Sequence, residues 1–133
     1  MRRVIALKLA LVSALALSAG IAAAEGFPVS TSSQYGVIIK ITPRTLTGTA
    51  WEFDVVFDTH SQDLKDDLLK SATLVAGSVA PSLPVGWQGD PPGGHHRKGV
   101  LRFNAVAPFT GSIELRIARP GEPAARSFRW DPR

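Results

Sequence analysis

The sequence has 133 residues, with 15 Lys and Arg against 11 Asp and Glu, and no cysteine. Three of the positive charges (Arg2, Arg3 and Lys8) and none of the acids fall in the first 24 residues, so the remaining 109 carry 12 bases and 11 acids. A nearly neutral stretch of that size allows one core and lacks the concentrated basic surface that nucleic-acid binding requires.

Residues 1–24 read as a cleaved signal peptide. They combine a basic start, an apolar stretch from Leu9 to Ala19 and small residues at Ala22 and Ala24, which sets the expected cleavage after Ala24. The uncharged run over 9–24 is 16 residues long and rich in Ala and Ser, short of the ~20 needed to span a bilayer. Arg2-Arg3 lacks the rest of a twin-arginine signal, so the general secretory route is expected. Without cysteine the mature N-terminus has no site for lipoprotein-type lipid attachment, and no disulfide can support folding. The expected product is periplasmic or secreted, with no stable membrane anchor.

Residues 25–34 read as a flexible N-terminal segment, and 35–133 as the folded domain. From Tyr35 onward the apolar residues recur mostly at period two, the mark of strands with one buried face. The first strand is expected at 36–41, with a turn at Thr42-Pro43-Arg44. In 51–58, Trp51, Phe53, Val55 and Phe57 share one face, while Glu52, Asp54 and Asp58 lie on the other. Leu64, Leu68 and Leu69 recur at helical spacing within 61–70, with Ser61 or Asp63 as N-cap. Strands follow at 72–76, 85–88, 98–103, 112–118 and 125–130. Turn chemistry at 77–84, 89–94, 107–111 and 120–122 separates them. About seven short strands predict an immunoglobulin-like two-sheet antiparallel sandwich, without the inter-sheet disulfide of antibody domains.

All three histidines fall in two segments, Asp58-Thr59-His60-Ser61-Gln62-Asp63 and Gly93-Gly94-His95-His96-Arg97. If consecutive strands run up and down, His60, the His95-His96 pair and the turn carrying Glu122 arrive at the same end of the sandwich. His60, His95 and His96 with Asp58 and Asp63 would then offer nitrogen and oxygen ligands for a divalent metal such as Zn(II) or Cu(II), with Asp66, Asp67 and Asp90 nearby. Met1 is the only methionine, so loss of the leader removes every sulfur ligand and disfavours Cu(I). Trp87, beside Gly86 and Gly89, and Arg97 are candidates for the wall of a ligand site. Equally, the Asp residues suit turn and helix capping, and no His-x-x-x-His spacing is present.

No catalytic constellation is found. Ser61 adjoins His60, but sequence neighbours in an extended segment point apart, and there is no G-x-S-x-G. Arg102, Arg116 and Arg129 occupy outward strand positions, with Arg97, Lys98, Arg119 and Arg126 near strand ends. Residues 90–133 hold eight bases and four acids, while 25–70 hold four and seven. Cross-strand pairing with Glu52, Asp54 and Glu114 accounts for the outward arginines; docking to an acidic partner or anionic lipid is the functional alternative.

The words Trp51-Glu52-Phe53-Asp54-Val55, Asp58-Thr59-His60-Ser61, Trp87-Gln88-Gly89, Gly93-Gly94-His95-His96-Arg97-Lys98-Gly99-Val100-Leu101 and Arg126-Ser127-Phe128-Arg129-Trp130 resemble a group of small exported bacterial and archaeal β-sandwich proteins of no assigned activity. The resemblance spans about 35–130. At fold level the chain also resembles the copper-handling sandwich proteins of the periplasm, but their N-terminal histidine and Met-rich loops have no counterpart here. The expectation is therefore an exported binding module, holding a divalent metal through its histidine end. The alternative is a structural or adaptor domain that docks to another exported protein without metal or catalysis.

Overall fold

A computed structural model describes residues 26–106 and 111–132; the expected signal peptide, and 107–110 of the expected turn at 107–111, lie outside the described residues. Among the described residues the strands are β1 (Ser30–Gln34), β2 (Val37–Thr45), β3 (Ala50–Thr59), β4 (Ala72–Ala76), β5 (Gly86–Gly89), β6 (His96–Asn104), β7 (Ile113–Ile117) and β8 (Arg126–Trp130), with one helix, α1 (Leu68–Ser71). They form two antiparallel sheets, one ordered β1-β2-β3-β6-β5 and the other β4-β7-β8. The chain is an all-β two-sheet sandwich, as the period-two pattern predicts.

The inward positions make the core. Val37, Ile39 and Ile41 of β2, Trp51, Phe53, Val55 and Phe57 of β3, and Leu101 and Phe103 of β6 are all buried on the larger sheet. Leu74, Ile113, Leu115, Ile117, Phe128 and Trp130 face them from the smaller one. Phe53 sits at the centre, edge-on to Phe103 at 5.7 Å and 5.8 Å from the Trp130 ring. Full burial of each such side chain contributes about 1.5–3 kcal/mol, the main term supporting a fold without disulfides.

Three expectations need correction. The segment 25–34, expected to be flexible, supplies β1, which pairs with β2 from Ser30↔Ile41 to Gln34↔Val37. Its residues are polar because it is an edge strand with little to bury, which is why the hydrophobic pattern missed it. The turn that links it to β2 is Tyr35-Gly36, both at positive φ (50° and 75°), the geometry of a tight two-residue hairpin.

The Thr42-Pro43-Arg44 turn is instead the continuation of β2, with a register shift between Pro43 and Thr45. Pro43 holds the buried parity of Val37, Ile39 and Ile41, and burial outweighs its turn preference. Its missing N–H is accommodated by the irregular pairing. Finally, the helix expected over 61–70 is one turn, capped by the carboxylate of Asp67, which accepts from the Leu69 N–H at 3.1 Å. Leu64 and Leu68 are both buried, but Leu64 is fixed by backbone pairing with another loop.

Candidate functional site

The register of β3 and β6 brings the two histidine segments together. Asp58 pairs with His96 across the sheet, and just beyond it the Thr59 N–H donates to the His95 carbonyl at 2.9 Å. The loops then zip: Leu64 N–H to Gly94 O at 3.0 Å, Gly93 N–H to Leu64 O at 2.7 Å, and Gly94 N–H to the Asp63 carboxylate at 2.7 Å. Gly93 and Gly94 take φ of 117° and 74°, conformations open to glycine and strained for other residues. Thr59 adds a third segment, its hydroxyl donating to Gly36 O at 2.8 Å while accepting from Ser61 N–H at 3.2 Å.

On this end His60, His95 and His96 are exposed. The structure brings one histidine onto a carboxylate: His96 Nδ1 is hydrogen-bonded to Asp58 Oδ1. The other acids are engaged elsewhere. Asp63 holds Gly94, Asp67 caps α1, Asp90 accepts from the Lys98 N–H at 2.9 Å, and Asp66 is buried in an ion pair. Among the described residues no group of three or more His, Asp or Glu side chains is arranged to hold a metal ion.

Trp87 and Arg97 are positioned together, but inward. Arg97 is 3% exposed, its guanidinium 5.3 Å from the Trp87 ring centre and bonded to the carbonyls of Asp66 (2.6 Å) and Asp90 (3.2 Å). Trp87 in turn donates to Asp90 O at 3.0 Å. Burial lowers the pKa of Arg97 from its ordinary value, against the pull of Asp66, Asp67 and Asp90. The pair braces the histidine loop from beneath, and Arg97 does not line an open wall.

A second feature was invisible as a unit in the sequence. Asp66, Arg119, Glu122 and Arg126 form a buried chain of alternating charge, with side chains 2, 6, 4 and 1% exposed. Arg119 grips both oxygens of Asp66 at 2.9 and 3.1 Å and reaches Glu122 at 3.1 Å. Arg126 grips both oxygens of Glu122 at 2.8 Å and donates to the carbonyls of Gln34 and Val37, each at 2.8 Å. Hydrogen bonding from Arg126 holds the Glu122 carboxyl below the usual carboxylate range, although burial pushes the other way. Burial opposes the charge of Arg119, but Asp66 and Glu122 outweigh it and raise its pKa. One signal was available: Arg126 shares the parity of Phe128 and Trp130, so it had to point inward.

The outward arginines behave as surface residues. Arg102 meets Glu52 across β3 and β6 at 3.2 Å, and Arg116 meets Glu114 of its own strand at 2.7 Å. Asp54 lies 4.0 Å from Arg44, and Arg129 donates to the Ser112 hydroxyl at 3.1 Å.

The site is thus a loop-built end, fixed from both sheets and carrying exposed imidazoles. Comparison with family models, curated proteins and solved structures finds no match for this chain.

Proposed function

We propose that the mature chain is an exported β-sandwich binding module whose histidine end is its recognition surface for another exported protein. The observation that carries this reading is the combination of an internally locked loop end with three exposed histidines. The backbone zipper and the Asp66-Arg119-Glu122-Arg126 chain fix three connections in place, so binding there costs little loop ordering. Rigid loops on a sandwich scaffold are a general way to build a recognition surface.

The test is capture of binders from the exported fraction, followed by direct titration of each isolated binder. Simultaneous His60→Ala, His95→Ala and His96→Ala substitution is expected to weaken binding at least tenfold while leaving the unfolding midpoint unchanged. Unaltered affinity in the triple variant would overturn the assignment of this surface.

A metal reading is favoured by one observation, the His96–Asp58 pair with two further histidines at the same end. It requires the loops to bring His60 or His95 onto that pair. Calorimetric titration with Zn(II) and Cu(II) tests it: the expected result is saturable binding, stronger than about millimolar, that disappears in the triple variant.

A further inference from the structure

We infer that β1 is a homodimerisation edge, pairing antiparallel with the β1 of a second copy about a two-fold axis through Ser32. This edge meets the histidine loops at its Tyr35 end, where Gln62 donates to the Tyr35 carbonyl at 2.6 Å, and the inference does not depend on how those loops are used.

The argument begins with the hydrogen-bonding pattern. The two-residue turn Tyr35-Gly36 makes Gln34 and Val37 the closing pair of the hairpin, so Ser30, Ser32 and Gln34 direct their amides toward β2. Thr31 and Ser33 therefore direct their N–H and C=O groups to the free edge. Sheet edges are normally guarded by charge, proline, brevity or cover. The other edges here have such guards: β4 is bridged by Ser82 at Leu74, β5 is four residues long, and β8 carries the exposed Arg129. β1 carries no charge or proline of its own, with no charged residue from Gly26 to Ile39, and Arg126 of β8 reaches it at the carbonyls of Ser32 (3.3 Å) and Gln34 (2.8 Å), residues that pair toward β2.

The side chains choose the partner. Val29 and Tyr35, which flank β1 at either end, are 55 and 57% exposed. A two-fold centred on Ser32 sets Thr31 opposite Ser33 of the partner subunit and Val29 beside Tyr35 of the partner subunit, each contact occurring twice. In that register Thr31 and Ser33 can exchange both backbone hydrogen bonds, and the exposed apolar residues cover each other as aromatic and β-branched neighbours. Space exists beside the edge: a trough of about 510 Å³ runs between Thr31, Ser33 and Tyr35 on one side and Pro123, Ala124 and Ala125 on the other. The uncharged strand meets no like-charge repulsion in its own copy, and closure about one axis yields a dimer, not a fibre.

An edge-to-edge contact of this length is small, so the expected dissociation constant is roughly 10–100 μM. Sedimentation velocity of the purified exported protein, up to about 0.5 mM, reads it. Thr31→Lys with Ser33→Lys, and separately Thr31→Glu with Ser33→Glu, are each expected to give monomers, and mixing the two doubles is expected to restore a dimer. Circular dichroism checks that each double stays folded, as their exposed positions imply. Should either misfold, Val29→Ser with Tyr35→Asn serves, because Asn keeps the left-handed turn while the ring is removed. That variant is expected to weaken dimerisation at least tenfold. A parent protein that stays monomeric at all concentrations, or a dimer unaffected by these substitutions, would overturn the inference.

Discussion

At Gly99 there is no room for a β-carbon: one placed there would lie 2.6 Å from Gln88 O, 2.7 Å from the Gly89 Cα and 2.7 Å from the Trp87 ring. Two of these are backbone atoms, so relief requires β5 to move away from β6. Gly99→Ala is therefore expected to destabilise the fold by about 1–3 kcal/mol, read from the urea midpoint. It should also loosen Trp87 and, through it, Arg97 and the histidine loop. Glu122 offers a test of the buried charge chain. Glu122→Gln leaves Arg119 and Arg126 without their shared carboxylate, and a cost of about 3–5 kcal/mol is expected.

The same residue predicts a pH dependence. The folded-state pKa of Glu122 is lower than in the unfolded chain, so its contribution is present above the ordinary carboxylate range and is lost as pH falls through the depressed value. Stability is expected to decline as pH falls below about 4.5, and Glu122→Gln should flatten part of that decline in unfolding curves.

Among the elements, α1 shows how a local pattern was overridden. Leu64 and Leu68 have helical spacing, yet Leu64 is bound to the 93–94 backbone, and only Leu68–Ser71 completes a turn. Both leucines remain core residues, so Leu68→Ala is expected to cost about 2–5 kcal/mol by opening a cavity, as in other buried Leu sites. Asp67→Ala removes the cap and the exposed Lys70 pair at 3.9 Å and is expected to cost about 1 kcal/mol. The long amphipathic strand β3 and the alternating β6 and β7 were legible because each buries one continuous face. β1 was not, because an edge strand of Ser, Thr and Gln contributes hydrogen bonds and almost no apolar area.

For the whole molecule, the exposed ion pairs Arg102–Glu52 and Arg116–Glu114 contribute little in water, so unfolding midpoints are expected to change little between low and moderate salt. A strong salt dependence would show that the surface charges carry more of the fold than their exposure implies. By itself the sequence determined the two-sheet class, the inward faces of the main strands and, from strand alternation, the convergence of His60, His95, His96 and Glu122 on one end. These follow from period-two patterning and chain direction, which are local and additive along the chain. Only the tertiary structure decided that Arg97 and Arg119 are buried, that Asp66 and Glu122 neutralise Arg119 and Arg126, and that the acids near the histidines, Asp58 apart, are committed to caps, ion pairs and loop contacts. Those outcomes depend on which loops meet across the two sheets. Desolvation and pairing between residues more than fifty positions apart leave no periodic trace in the sequence.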